Sequence, residues 1–301
     1  MKMIAPITVT DAVMASSNVP ETDCPAWAAG TTYALGARVI LTATHAIYES
    51  VQAGNTGHNP ATDTTSTWWI RVGSTNRWRA FDNRTGQKTT RSGTIDYQLT
   101  LPSICTAVAL VGLSAGSVRV RISDAGGTLI FDQTRQLVDR TDVASFFSYF
   151  TYAPVYSERA VFEGLPGYVG YTLRVTINAG VGTAEVGEIV AGKMFEFGTT
   201  LVDTEISFED MSVRERDDFG SVFIVQRDAY DTITFRFAIP AGGEERVRRA
   251  VRDTRARPAF FYADVELVGR GLAVYGLAKP LRIPLQSAGT SIATLETEEL
   301  S

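Results

Sequence analysis

Ile95-Asp96-Tyr97-Gln98-Leu99-Thr100-Leu101 alternates apolar and polar residues without a break. Successive side chains of a strand point to opposite faces, so this pattern buries one face and wets the other. The same period of two returns in Val118-Arg119-Val120-Arg121-Ile122, in Leu173-Arg174-Val175-Thr176-Ile177 and in Ile233-Thr234-Phe235-Arg236-Phe237. Turn-forming residues fall between such runs, as in Asp124-Ala125-Gly126-Gly127 and Pro166-Gly167. Many short alternating strands joined by glycine-rich turns predict an all-β chain built on β-sandwiches. The stretch 107–113, Ala-Val-Ala-Leu-Val-Gly-Leu, is apolar on both faces, as for a central strand covered on both sides.

One stretch breaks the pattern. Gly243-Glu244-Glu245-Arg246-Val247-Arg248-Arg249-Ala250-Val251 predicts a helix with Val247, Ala250 and Val251 on one face. Glutamates open it and arginines close it, which suits the helix dipole. Its arginines admit two readings, a phosphate patch or a solvated face braced by i,i+4 Glu–Arg pairs. The second is the expectation here.

The chain has 301 residues, 45% of them hydrophobic, enough for two or three domains with cores of their own. Three segments are expected: 1–75, holding three of the four tryptophans, then a strand-rich 76–200, then 201–301 with strands around the helix. The formal net charge of -5 argues against a nucleic-acid partner, which rewards clustered Lys and Arg. Cys24 and Cys105 are too few and too far apart for a disulfide framework or a zinc site, so both read as small apolar residues, and no metal is expected. The opening Met-Lys-Met-Ile-Ala-Pro-Ile-Thr-Val-Thr-Asp-Ala-Val has too short an apolar run for a secretory leader, so folding in a cytoplasm is expected. No stretch approaches the ~20 apolar residues of a membrane span.

Catalytic patterns are weak. Gly112-Leu113-Ser114-Ala115-Gly116 fits the G-x-S-x-G elbow, but residues 117–122 read as a strand where that motif needs a helix. Both histidines, His45 and His58, lie upstream of it. A glycan-degrading enzyme would need paired carboxylates, for which Glu209, Asp210, Asp217 and Asp218 are candidates without a cleft to place them. No catalytic residue and no cofactor is expected.

Residues 26–70 carry Trp27, then Thr32-Tyr33-Ala34-Leu35-Gly36-Ala37-Arg38-Val39, Ile47-Tyr48-Glu49-Ser50, Asn55-Thr56-Gly57-His58-Asn59-Pro60 and Thr67-Trp68-Trp69. So small a unit must draw its buried area from a few large aromatics. The order resembles the chitin- and cellulose-binding modules of carbohydrate-binding families 5 and 12: Trp, Tyr-x-x-Gly-x-x-Val, an aromatic strand, Asn-x-x-Pro, a closing Trp. The resemblance implies a three-stranded fold and sugar recognition by aromatic faces. The candidates are Trp27, Tyr33, Tyr48, His58, Trp68 and Trp69; Trp27 and Trp68 lean to core packing, Tyr33, Tyr48 and Trp69 read equally as framework or contact, and His58 reads as a polar loop residue and not a metal ligand. In that family a ligand-contacting aromatic precedes the Pro turn, and here His58 stands nearest that place.

The order of features in 76–200 resembles a galactose-binding-like jelly roll. Over nearly the whole chain, the sugar-module start, Trp78-Arg79-Ala80-Phe81-Asp82, the stretch 112–120, Glu185-Val186-Gly187-Glu188-Ile189 and Phe208-Glu209-Asp210-Met211-Ser212 resemble tail-tip or baseplate proteins of long-tailed bacteriophages and prophages. That resemblance implies a non-enzymatic virion protein, assembled in the host cytoplasm and contacting other tail proteins, with residues 201–301 as an assembly domain. Several copies around the tail axis would let weak binding of host-surface polysaccharide gain avidity. The alternatives are a purely structural baseplate protein and an accessory module of a glycan-degrading enzyme.

Overall fold

The computed structural model describes residues 1–139, 150, 155–216, 220, 222–227, 229–284 and 289–300. The chain is all-β, and two antiparallel sheets carry most of it. The larger runs in the order Ala160–Gly167, Cys105–Val111, Glu188–Glu196, Lys2–Pro6, Ala259–Tyr262, Ala273–Arg282, Ser291–Glu299 and Ala229–Ile239. Its last strand carries both Thr199–Thr200 and Glu205–Asp210 along one edge. The second sheet runs Leu129–Gln136, Ser117–Ser123, Thr172–Val186, Thr89–Thr100 and Met14–Ser17.

The alternating stretches do what their period predicts. Ile95, Tyr97, Leu99, Val118, Val120, Ile122, Leu173, Val175 and Ile177 are all fully buried in one core. That core lies between the second sheet and the strands Ala160–Gly167, Cys105–Val111 and Glu188–Glu196, and so forms a β-sandwich. The doubly apolar stretch is covered on both sides. Val108 and Leu110 face the sandwich, whereas Ala107, Ala109 and Val111 pack with Phe260, Tyr262 and Tyr275. Residues 112–116 join two strands, and Ser117–Ser123 follows as a strand, so Ser114 sits on a connection and not on an elbow before a helix. Gly112 takes φ +65° there, which a side chain would resist.

The expected helix forms as α1, Glu244–Asp253. Val247, Ala250 and Val251 are its buried residues, packed with Met3, Phe235, Phe237, Phe261 and Leu295. Glu245 pairs with Arg248 at 2.8 Å and with Arg249 at 3.8 Å, as the spacing predicts. Both pairs are exposed and contribute little to stability.

The first segment is divided in a way its sequence does not suggest. Lys2–Pro6 lies inside the larger sheet, hydrogen-bonded to Glu188–Glu196 on one side and to Ala259–Tyr262 on the other. Met14–Ser17 edges the second sheet. The aromatic unit therefore begins only near residue 25, where the backbone N–H of Ile40 donates to the carbonyl of Pro25. Lys2–Pro6 is the seam between the sandwich and the C-terminal strands. Its polar and apolar residues do not alternate strictly, because it is buried from both sides.

A two-stranded ribbon, Val213–Arg216 with Val222–Val225, extends the pairing of Glu205–Asp210 with Ala229–Ile239. Phe208, Phe223 and Ile224 on this arm are 71%, 61% and 65% exposed. Among the described residues no helix is long and apolar enough to cross a membrane.

Candidate functional site

The aromatic unit is three-stranded, with Arg38–Leu41, Ala46–Ser50 and Trp69–Ser74 in antiparallel register. A short ladder of Thr32–Tyr33 with Asn55–Thr56 closes it. Trp69 is its core residue, 1% exposed, with Val39, Ile40, Ala46 and Ile47 also buried. The Trp69 indole N–H donates to the carbonyl of His58 at 2.8 Å. Tyr33 meets the Trp69 ring edge-on, centroids 5.2 Å apart, and its hydroxyl accepts from the Ala28 N–H at 2.8 Å. Trp69 and Tyr33 are thus framework: a sugar has no face of Trp69 to reach.

The loop before Trp69 is organised by a residue that the sequence does not flag. Asp63 accepts from the backbone N–H groups of Thr67, Trp68 and Trp69 at 3.0, 2.6 and 2.8 Å. Partial desolvation pushes its carboxyl up, but these donors outweigh that and hold it below the usual range. The loop so fixed leaves Trp68 partly exposed. His58 stacks on Trp68 with centroids 3.8 Å apart and planes 9° from parallel. Both rings are half-exposed. Stacked face to face, each ring covers one face of the other, so a pyranose C–H face would pack on an outer face of the pair.

The remaining candidates stand elsewhere in the unit. Trp27 is half-buried, its backbone N–H donates to Ile40 at 2.9 Å, and its indole N–H has no partner among the described residues. Tyr48 is half-exposed on the central strand, its hydroxyl 3.4 Å from that of Thr44. Neither joins the Trp68–His58 stack. Of the six candidates the structure brings together two, and makes framework of two more.

The unit is clamped to the sandwich through His45. Its ring stacks on Trp78 at 4.1 Å, while its nitrogens lie 2.8 Å from Asp11 and 2.9 Å from Glu21. Glu21 also accepts from the Thr75 hydroxyl at 2.9 Å.

The carboxylate candidates do not converge. Glu209 accepts from the Tyr230 hydroxyl at 2.6 Å and Asp210 from the Ser212 N–H at 2.9 Å, both on the exposed strand Glu205–Asp210. Asp217 and Asp218 lie outside the described residues. A buried carboxyl occurs instead at Glu188, 4% exposed, which accepts from the Asn83 N–H at 3.0 Å. Desolvation, and then the charge of nearby Asp82, push its pKa well up. Burial thus favours the protonated form, so this group is least costly to the fold below the ordinary glutamate pKa of about 4.3 and weakens it as pH rises above that value. Glu188→Gln is therefore expected to match the native chain in urea midpoint near pH 4 and to exceed it near pH 8. A constant difference across that range would contradict the assignment.

No protein-family model matches the chain, and no curated protein matches it.

Proposed function

We propose that the protein is a non-enzymatic structural component of a bacteriophage tail tip whose aromatic unit binds host-surface carbohydrate. The observation that carries the sugar-binding part is the half-exposed Trp68–His58 stack on a loop pinned by Asp63. Asp63 fixes the loop before any ligand arrives, so the entropy cost of ordering it on binding is small. The three-stranded architecture around a buried Trp69 supports the resemblance to carbohydrate-binding families 5 and 12. The tail assignment rests on the order of sequence features described above. The exposed apolar ribbon around Phe208, Phe223 and Ile224 favours a role in assembly with other chains, since patches of this kind mark protein interfaces.

Chitin-oligosaccharide titration of the full chain, followed by tryptophan fluorescence, tests the sugar site. Saturable binding that weakens about tenfold in Trp68→Ala is expected, because an aromatic face contributes ~0.5–1.5 kcal/mol beyond its buried area and ~1.4 kcal/mol is tenfold in affinity. Binding unaltered by Trp68→Ala would remove the stack from the site. Absence of binding to any glycan would leave the purely structural baseplate reading.

A further inference from the structure

A second groove lies well apart in sequence from the aromatic unit. Between α1 and Lys2–Pro6 runs a cleft of about 510 Å³ whose floor is Pro6, Phe195 and Ala250, and whose rim carries Arg246, Arg249 and Arg257. A recess of about 320 Å³ continues it past Pro6 and Arg257 to Thr8, Phe81 and Asn83. A third, of about 390 Å³, is bordered by Arg252, Arg255 and Arg257. The three share Arg257, so they form one elongated depression instead of a closed pocket.

Its electrostatics run against the rest of the chain, whose net charge is -5. Five guanidiniums line the depression, against Glu245, Asp253 and the protonation-prone Glu188. The side chains of Arg255 and Arg257 have no hydrogen-bond or ion-pair partner among the described residues. Arg249 has only a 3.8 Å contact with exposed Glu245. The chain holds Ala256 at φ +57°, a left-handed conformation costing about 1 kcal/mol, in the turn that brings Arg257 between α1 and Lys2–Pro6. Solvated arginines on a helix face explain Arg248, which points away from the groove lining. They do not explain Arg257, which stands without a partner among the described residues beside the apolar floor, next to Arg249 with its single 3.8 Å contact.

We infer that this groove binds an acidic polysaccharide, one carrying a carboxylate on some or all of its sugars. Guanidiniums take carboxylates in bidentate fashion. Pro6, Phe195 and Ala250 offer apolar surface to sugar C–H faces, and Glu245 and Asp253 accept from sugar hydroxyls. That last feature sets a sugar polymer above a nucleic acid. A phosphate backbone gives the wall carboxylates only acceptors to face, whereas a uronate chain presents hydroxyl donors to them beside the carboxylates that the guanidiniums take. The length of the depression suits a chain instead of a single sugar. This inference does not depend on the Trp68–His58 stack.

The test is binding of the full chain to immobilised polygalacturonate at 150 mM salt, with dextran and oligothymidylate in parallel. The expected result is retention on polygalacturonate, none on dextran, and weaker retention on the oligonucleotide. Arg249→Glu with Arg257→Glu should cut polygalacturonate affinity at least tenfold. Arg214→Glu with Arg227→Glu, the same charge change at exposed positions outside the groove, should alter it less than twofold. Equal loss in the two variants would reduce the effect to net charge and overturn the groove. Tighter retention on oligothymidylate, or none on polygalacturonate, would overturn the ligand class.

Discussion

Gly192→Ala should unseat the strand Lys2–Pro6 and lower stability by about 3 kcal/mol or more. A Cβ at Gly192 would stand 1.9 Å from the carbonyl oxygen of Ala5 and 2.9 Å from its carbon. Those are backbone atoms, so no rotamer change relieves the clash, and the cost exceeds that of ordinary overpacking. The damage falls on the seam, because Pro6 is the register partner of Gly192 and the next residue donates from its N–H to Ala191 at 2.8 Å. Urea denaturation reads the effect as an earlier midpoint. Hydrogen exchange should place the loss in Lys2–Pro6 and its neighbours Glu188–Glu196 and Ala259–Tyr262. An unchanged midpoint would mean that the seam is not packed as described.

Trp69→Ala should be the most damaging change in the aromatic unit, costing about 3–5 kcal/mol by the usual scale for a buried tryptophan. It removes the ring that fills the three-stranded core, the T-shaped contact with Tyr33 and the indole bond to His58 together. The unit buries few other large side chains, so no neighbour can collapse into the space. Limited proteolysis should then cut within residues 25–75 while the sandwich, with its separate core, stays intact. Trp68→Ala should leave the same region protected, since that ring is half-exposed. Comparable proteolysis of the two variants would contradict the division into framework and platform.

The sandwich was legible because its strands keep strict alternation at Ile95–Leu99, Val118–Ile122 and Leu173–Ile177, where one wet face leaves a period of two. α1 was legible for the same reason at its own period. The placement of Lys2–Pro6 was not, since a strand buried on both edges and faces carries no periodic mark, and its partners lie nearly 190 and 260 residues away in sequence. Within the aromatic unit, residue type could nominate Trp68 and Trp69 but not separate them. Trp68 closes the loop and Trp69 opens the strand, and which ring fills the core depends on where that strand begins. Asp63 escaped notice because an aspartate in a Thr-rich loop looks like any turn residue until its three N–H donors are in place. The groove at Arg257 joins residues near positions 6, 195 and 257, which no local pattern links.

The most direct test of the sugar-binding tail-tip assignment is retention of the purified full chain on bacterial surface polysaccharide, compared with Trp68→Ala and His58→Ala in the Arg249→Glu/Arg257→Glu background. That background silences the groove and leaves the aromatic unit alone to act. The account predicts retention by the background protein and its loss on removing either ring of the stack, with folding intact. Retention that survives both ring substitutions would contradict it.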